Sequence, residues 1–212
     1  MHPLLEQLTN AVIIGRSKDA RALAQQAVDA NIPLQDIVDN SLVHAMGTVG
    51  ERFKRNEIFV PEMLVAARAM KEAMTVLEPL LAKAGITPKY TAIIGTVQGD
   101  LHDIGKNLVA MMWKGANIKV VDLGVNVEPQ KFITAAREND ADIIGLSALL
   151  TTTMPAMKNT VALIRAANLP KGKIMVGGAP ITQQFADEIG ADAYTADAGS
   201  AAEKAHELLS AA

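Results

Sequence analysis

Cysteine is absent from this chain of 212 residues. Without cysteine, the protein forms no disulfides, has no thiolate nucleophile and cannot bind an iron–sulfur cluster through thiolates. Histidine and carboxylate side chains then remain as the protein ligands for a metal. The chain has four histidines, so the candidate imidazole ligands are few.

The chain also lacks an excess of basic residues: it has 20 Lys and Arg residues and 23 Asp and Glu residues, for a net charge of −3. The chain has no Lys/Arg-rich run, the electrostatic signature of a nucleic-acid-binding protein. No apolar run is long enough to span a bilayer, and the chain does not begin with a basic region followed by an apolar one. We therefore expect no nucleic-acid partner, no membrane association and a cytoplasmic location.

Hydrophobic residues are abundant at 50% of the chain, enough for the core of one large domain or two small ones. Residues 3–84 repeat apolar side chains at spacings of three and four, which predicts amphipathic helices, and four helices fit. Short connections favour an antiparallel bundle. Two apolar stripes are visible: Leu34, Ile37, Val38, Leu42, Ala45, Met46, Val49 and Phe53, and then Met63, Ala66, Ala67, Met70, Met74 and Leu77.

The pattern changes after a cluster of helix-breaking residues, Gly85-Ile86-Thr87-Pro88-Lys89. β-rich runs then alternate with helical runs, which predicts βαβ units in an α/β fold. Strands are predicted at 90–97, 118–123, 142–147, 173–176 and 193–194, with helices at 104–115, 129–139, 154–167, 181–189 and 199–209. Five such strands indicate a flavodoxin-like, doubly wound parallel sheet. We predict two domains, 1–85 and 86–212.

One segment after the first predicted strand, Gly99-Asp100-Leu101-His102-Asp103-Ile104-Gly105, places a lone imidazole between carboxylates. Open α/β sheets bind ligands at the carboxyl ends of their strands. In an extended segment, Asp100 and His102 point to the same side. Asp100 can therefore accept a hydrogen bond from one imidazole nitrogen and leave the other for a metal. Gly105 would let a bulky planar ligand approach the backbone. The segment predicts a metal-binding loop.

Small and polar residues follow two further predicted strands: Ser147 to Thr153 after the third, and Gly177-Gly178 after the fourth. The carboxyl ends of parallel strands meet at one edge of a sheet, so we expect these segments to converge on the metal-binding loop. The small residues Gly145, Ser147, Gly177, Gly178 and Ala179 would leave a narrow slot for a flat aromatic group. Each signal is common by itself, and their joint order gives them weight.

Other kinds of site fit the sequence less well. The remaining histidines, His2, His44 and His206, have no companion histidine at metal-ligand spacing, so solvated or packed imidazoles are the simpler interpretation. A metallohydrolase would need several ligands beyond those of the loop. The glycines around the loop do not have the Gly-x-Gly-x-x-Gly spacing of a nicotinamide site, and no Ser/His/Asp order stands out.

The pattern Asp100-x-His102-x-x-Gly105, followed by Ser147-x-Leu149 and Gly177-Gly178, resembles the cobalamin-binding domain in which a protein histidine replaces the cofactor's benzimidazole beneath cobalt. The segments Lys106-Asn107-Leu108-Val109 and Val121-Asp122-Leu123-Gly124 resemble the same family. More narrowly, the chain resembles the corrinoid protein of three-component methyltransferase systems. It is also similar to the cobalamin-binding region of methionine synthase.

The resemblance implies cobalamin as the cofactor, as methylcobalamin or another corrinoid, with His102 bound to cobalt. It also implies that Asp100 bonds to His102 and to a hydroxyl residue, for which Thr153 is the aligned position. Ser147 would supply a hydroxyl, Leu149 an apolar wall, and Thr151 and Ala198 contacts to the nucleotide tail. The implied cofactor-binding set is Gly99, Asp100, Leu101, His102, Asp103, Ile104, Gly105, Ser147, Leu149, Thr151, Thr153, Gly177, Gly178, Ala198 and Phe59.

Residues 46–61 resemble the family's helical cap, which covers the upper face of cobalt, and Phe59 would lie nearest the methyl group. Ordinary core packing remains the simplest interpretation of any single Met or Phe there. The resemblance implies a non-catalytic methyl carrier that accepts a methyl group on Co(I) from a substrate-specific methyltransferase and passes it from methyl-Co(III) to an acceptor methyltransferase. A reductive activator and a homodimer are further expectations.

Two alternatives share the same cofactor. One is the cobalamin-binding subunit of an adenosylcobalamin-dependent isomerase, which would need a catalytic barrel on a separate subunit. The other is a cobalamin-based sensor, which usually has a DNA-binding or other output module, and none is visible in the sequence. The predicted helical cap favours the methyl carrier over both.

Overall fold

The first part of the chain is entirely helical in the structure, a computed structural model that describes residues 2–210. Its elements are α1 (Pro3–Ile13), α2 (Ser17–Asp29), α3 (Leu34–Ile37), a π-helical segment (Val38–Val43), α4 (His44–Lys54) and α5 (Val60–Lys83). The segments α3, π and α4 follow one another without a break and form one rod. The four predicted helices are therefore confirmed as four rods.

Small side chains set the packing of α2 against α5. The buried residues of α2 are all alanines (Ala20, Ala24 and Ala27), and α5 buries Ala66, Ala69 and Ala73 among its apolar residues. Most of the predicted stripe residues are buried, but Leu34, Phe53, Ala67 and Met74 are partly exposed. Alanines at the contact let the two helix backbones approach closely, which leaves the larger stripe residues to fill other parts of the core.

The second part of the chain is an α/β unit that begins at Tyr90. Its strands are β1 (Tyr90–Thr96), β2 (Ile118–Asp122), β3 (Ile143–Ser147), β4 (Lys173–Gly177) and β5 (Ala193–Tyr194). Its helices are α6 (Ile104–Gly115), α7 (Pro129–Glu138), α8 (Met154–Ala166), α9 (Gln183–Ile189) and α10 (Ala198–Ser210), with a 3₁₀ turn at Thr151–Thr153. Residues Gly115–Asn117 group with the helical unit. The predicted start of α9 at Ile181 is wrong, because Thr182 caps the helix by accepting a hydrogen bond from the Phe185 N–H at 3.2 Å.

All five strands are parallel, in the order β2-β1-β3-β4-β5, which confirms the predicted flavodoxin-like sheet. Strand β1 pairs with β2 on one side and with β3 on the other, with Ala92 opposite both Val120 and Ile143. The chain therefore changes direction across the sheet between β1 and β3. The loops after these two strands diverge at their carboxyl ends and leave a crevice there, where sheets of this type bind ligands.

Two glycines let helices pack closely on the central strands. A Cβ on Gly95 of β1 would lie 2.8 Å from the ring of Phe132 in α7, and one on Gly145 of β3 would lie 2.7 Å from the indole of Trp113 in α6. Trp113 is buried, and its Nε1 donates to the Ala201 carbonyl at 3.0 Å. Trp113 therefore fills the space over Gly145 on that face of the sheet, and a role of Gly145 in a ligand slot stays a prediction.

Candidate functional site

The loop after β1, residues 97–103, contains the predicted metal-binding residues, and we call it the histidine loop. Asp100 in this loop is fully buried. Its Oδ1 accepts hydrogen bonds from the backbone N–H of His102 at 3.0 Å and from the imidazole Nδ1 of His102 at 2.7 Å. The bond between Asp100 and His102 that the two-residue spacing predicts is therefore present.

The other carboxylate oxygen of Asp100 reaches across the crevice to the loop after β3. Oδ2 accepts from the backbone N–H of Leu149 at 2.7 Å and from the hydroxyl of Thr153 at 2.8 Å, with the Leu150 N–H at 3.4 Å. Thr153 is itself buried. The predicted contact between Thr153 and Asp100 is thus present, and Asp100 joins the loops of the two strands that flank the crevice.

The hydrogen bonds to Asp100 set its charge. Burial alone would raise the pKa of this carboxyl, but the N–H groups of His102 and Leu149 and the side chains of His102 and Thr153 all stabilise the anion. Together they outweigh burial and hold the pKa of Asp100 well below its usual range. Asp100 is therefore an anion across the physiological pH range and can only accept hydrogen bonds.

This constraint fixes the orientation of the His102 ring. Because Asp100 can only accept, Nδ1 of His102 is the protonated nitrogen, and the lone pair of a neutral ring then lies on Nε2. The His102 side chain is 50% exposed, and no described residue hydrogen-bonds to Nε2. A neutral imidazole with one nitrogen bonded to a carboxylate and the other bare is the usual arrangement of a metal-ligating histidine.

The protein offers this metal few other ligands. Within residues 2–210, no group of three or more His, Asp or Glu side chains is placed to hold a metal ion. A metal bound by His102 would therefore need most of its coordination from another molecule. A metal already held in a macrocycle meets that requirement, and the donor set fits such a group.

The surface around His102 also suits a large, flat ligand. Leu101 is 71% exposed and Ile104 is 76% exposed, which is unusual for side chains of this size. On the neighbouring loops, Val125, Leu149 and Leu150 are exposed as well. Apart from its own helix backbone and chain neighbours, no atom lies within 4 Å of where a Cβ on Gly105 would be, so the space beside it is open.

The loop after β4 approaches the loop after β3. Gly178 has φ +128°, and a Cβ on it would lie 1.9 Å from the carbonyl oxygen of Ala148, so only glycine fits. The Ala148 N–H donates to the Gly177 carbonyl at 3.2 Å. The structure therefore brings Gly177 and Gly178 beside the loop that bonds to Asp100.

The remaining predicted site residues are in varied surroundings. Ser147 ends β3 and is partly buried, Thr151 is exposed at the 3₁₀ turn, and Ala198 is buried at the start of α10. Asp103 is exposed and accepts from the amide of Asn107 at 3.0 Å. The N–H of Gly99 donates to the side chain of Asn126 at 2.8 Å.

Phe59 belongs to the helical unit. It immediately precedes α5, is 61% exposed, and donates its backbone N–H to the Glu62 carboxylate at 3.0 Å. Its side chain is thus available to a ligand rather than packed in the helical core, and the core-packing interpretation is wrong for this residue.

Two residues that the sequence does not mark hold the histidine loop: Thr96 at the end of β1 and Asn126 in the turn after β2. The buried Thr96 hydroxyl donates to the His102 carbonyl at 2.8 Å. Asn126 bonds to two backbone groups of the loop. Neither residue forms part of a recognisable motif, and only the pairing of β1 with β2 brings Asn126 to the loop.

An ion pair between a buried lysine and a half-exposed aspartate lies beside this network. Lys106, in the first turn of α6, donates from Nζ to both oxygens of Asp122, at 2.6 and 2.5 Å, and to Asn107 at 2.8 Å. Burial opposes ionisation of Asp122, but bonds from Lys106 and the Gly124 N–H, with the nearby charges of Lys106 and Lys114, lower its pKa. Both residues lie in segments that resemble the cobalamin-binding family. That resemblance is the only feature of the sequence that points to Lys106 and Asp122, and it does not predict their contact.

Comparison with protein families gives two matches in the chain. Residues 90–206 match a family described as the B12 binding domain, and residues 4–78 match a second family with the same description. The first match covers the α/β unit with its histidine loop, and the second covers most of the helical part. No helix within residues 2–210 is long and apolar enough to cross a membrane.

Curated relatives and solved structures agree with this match. The chain is 42% identical over 210 residues to a corrinoid protein of Desulfitobacterium hafniense, covering 97% of both chains. It is 40% identical over 208 residues to a dimethylamine corrinoid protein of Methanosarcina acetivorans, again covering 97% of each. The methanol:cobalamin methyltransferase complex of Methanosarcina barkeri contains a chain that matches with a TM-score of 0.86 at 27% identity, covering 100% of this chain and 81% of that one.

Proposed function

Because this chain belongs to the corrinoid proteins with a B12-binding domain, we propose that it carries methyl groups on a bound corrinoid between methyltransferases. Relatives named for dimethylamine and a solved chain from a methanol:cobalamin methyltransferase complex support this function. A corrinoid protein of known structure from the monomethylamine system of Methanosarcina barkeri, with a TM-score of 0.54 and 33% identity, supports it further.

The observation that carries the proposal is the pair Asp100 and His102. Asp100 fixes Nδ1 of His102, and Nε2 has no hydrogen-bond partner among the described residues, on a side chain that is half exposed. We assign Nε2 of His102 as the lower ligand of cobalt. Thr153 and the Leu149 N–H hold the carboxylate that orients this ring. Such outer-sphere partners commonly change metal affinity or activity by about 10- to 100-fold.

When bound, the corrinoid supplies the transfer chemistry, since its Co(I) state accepts a methyl group and its methyl-Co(III) state donates one. The protein's residues bind and orient it. The exposed Leu101, Ile104 and Leu149 contribute apolar contacts to the macrocycle, and Gly105 leaves room for its edge. Gly99, Asp103, Ser147, Thr151, Gly177, Gly178 and Ala198 complete the set of residues assigned to the ring and the nucleotide tail.

The two parts of the chain divide the work. We assign cofactor binding to residues 86–212 and a protective cap over the reactive face to residues 1–85. Phe59 suits the cap because its large apolar ring is exposed. The partners proposed for the carrier are a substrate-specific methyltransferase, an acceptor methyltransferase and a reductive activator, and we propose a homodimer as its assembly.

The proposal is tested by reconstituting the protein with cobalamin and recording electron paramagnetic resonance of the Co(II) form. With isotopically labelled histidine, the nitrogen splitting of the cobalt signal should change in the wild type, because the coordinating nitrogen comes from the protein. His102→Ala should lose this response. His206→Ala should keep it, because His206 is an exposed histidine on α10. A response that survives in His102→Ala would overturn the assignment.

A further inference from the structure

Asn126 holds the histidine loop from the β2 side. Its Oδ1 accepts from the Gly99 N–H at 2.8 Å, and its own N–H donates to the Asp100 carbonyl at 2.9 Å. The Gly99 N–H lies one residue before Asp100 in the main chain, and the Asp100 carbonyl directly follows the Cα of Asp100. Asn126 therefore fixes the main chain on both sides of the residue that orients His102.

The turn that contains Asn126 is itself anchored to β1. The Thr96 N–H donates to the Gly124 carbonyl at 3.0 Å, and the Val127 N–H donates to the Thr96 carbonyl at 2.9 Å. Val127 is buried, which ties the end of the turn to the core. Asn126 thus extends from a fixed frame rather than from a free surface loop.

Asp100 is consequently held from two directions. The loop after β3 binds its carboxylate through Leu149 and Thr153, and the turn after β2 binds its main chain through Asn126. A carboxylate can direct an imidazole only if its own Cα is fixed, because backbone movement would carry the carboxylate with it. Within the loop, the Asp100 N–H donates to the Val97 carbonyl at 3.1 Å and closes a turn that contains Gly99, at φ +85°. Asn126 adds the two bonds that tie this turn to the segment after β2.

We propose that Asn126 is a positioning residue for His102, acting through the backbone of Gly99 and Asp100. The inference rests on the proposed role of His102 as the cobalt ligand. Asn126 would set how much of the bound corrinoid has the protein imidazole on cobalt, without touching the metal itself.

The conformation of Asn126 supplies a clean pair of variants. Its φ of +52° is left-handed, which asparagine, aspartate and glycine adopt most readily. Asn126→Gly keeps the backbone and its bond to the Asp100 carbonyl but removes the acceptor for the Gly99 N–H. Asn126→Asp restores an acceptor oxygen at the same reach. Asn168→Gly is the matched control, because Asn168 is also left-handed, at φ +46°, and lies between α8 and β4, before a strand rather than after one.

The first measurement is amide hydrogen exchange of Gly99 in the protein without cofactor. Loss of one exposed hydrogen bond should speed exchange of this amide by about 3- to 10-fold in Asn126→Gly. Asn126→Asp should exchange close to the wild-type rate, and so should Asn168→Gly. Unchanged exchange in Asn126→Gly would overturn the inference. If Asn126→Gly does not fold, Asn126→Ser, with a shorter side chain, takes its place.

The second measurement separates the inference from the proposed function. In the Co(II) form, the fraction of the signal split by histidine nitrogen should fall in Asn126→Gly and recover in Asn126→Asp. If the wild type shows the splitting and Asn126→Gly matches it, Asn126 does not position His102 and only the inference fails. If the wild type shows no histidine splitting, the ligand role of His102 fails, and the role of Asn126 fails with it.

Discussion

Two exposed segments are assigned to the corrinoid, and the protein holds them by different means. The segment before α5 presents Phe59 and is flanked by exposed ion pairs, such as Arg55 with Glu51 at 3.0 Å and Arg52 with Glu57 at 3.6 Å. The histidine loop presents His102 and is held by buried groups, above all Asp100 and Thr153. Carboxylates hold both segments, but those near Phe59 are exposed and Asp100 is buried.

Burial decides how much such contacts stabilise the protein. An exposed ion pair typically contributes about 0–1 kcal/mol to stability, because water solvates both charges well when the pair is broken. A buried polar group that loses its partner costs about 1–3 kcal/mol, and a buried charge costs more. A ligand that must point at a metal needs the rigid arrangement. In the proposed function, the cap would have to let partner enzymes reach the methyl group, which suits the more weakly held segment.

The largest effect should come from removing the carboxylate partner of the buried Lys106 beside the histidine loop. Asp122→Ala leaves the ammonium of Lys106, 2% exposed, without its carboxylate and should cost about 3–5 kcal/mol. Lys106→Met should cost less, because Asp122 is 40% exposed and remains solvated. Urea unfolding of both variants, with Glu51→Ala from the exposed network as the control, gives the three free energies. An equal loss of unfolding free energy in Asp122→Ala and Glu51→Ala would contradict the expected difference between buried and exposed charges.

A smaller loss with a distinct pH dependence is expected for Asp100→Asn. The amide presents a donor where the carboxylate accepted, so the variant should lose about 1–3 kcal/mol at neutral pH. The folded pKa of Asp100 lies below its unfolded value of about 3.9, so its stabilisation is fully present above that pH. It is lost as the pH falls through the folded pKa.

The check for Asp100→Asn is a series of urea unfolding curves for wild type and variant from neutral to acidic pH. The gap between them should be largest at neutral pH and should shrink below about pH 3.9. Thr152→Val is a useful control, because Thr152 is exposed beside the buried Thr153. A gap that stays constant with pH would show that the charge of Asp100 does not stabilise the fold.

Phe59→Ala should have the smallest effect on stability, within about 0.5 kcal/mol, because the side chain is largely exposed. Its effect should instead appear on the loaded protein. Photolysis of bound methylcobalamin should be faster in the variant if Phe59 shields the methyl–cobalt bond. Leu163→Ala, an exposed leucine on α8, is the control. Equal photolysis rates for wild type and Phe59→Ala would remove Phe59 from the cap.

The sequence predicts most of the fold because its signals are local. β-branched runs mark β1 to β4, and the alternation with helices predicts a parallel sheet. The pair Asp100 and His102 is also local, since a spacing of two residues is enough to bring the side chains together. Gly145 shows the limit: a glycine in β3 indicates close packing, but only the fold shows that Trp113 occupies the space.

Residues that act over long sequence distances are harder to predict. Asn126 reaches Gly99 only because β2 pairs with β1. In the sequence, Asn126 cannot be distinguished from an ordinary turn asparagine. The π-helical segment Val38–Val43 is also not predictable from the sequence, because the apolar stripe through Leu42 is equally compatible with an uninterrupted α-helix. The contact of Thr153 with Asp100 also depends on strand pairing, and the family resemblance predicted it where local pattern could not.

The central claim is that Asp100 prepares His102 as a metal ligand before any cofactor binds. The most direct measurement is nitrogen NMR of the imidazoles in the cofactor-free protein, at alkaline pH where histidines are neutral. We expect His102 to carry its proton on Nδ1 with Nε2 bare, and Asp100→Asn to lose this preference. A wild-type His102 that carries its proton on Nε2 would contradict the account.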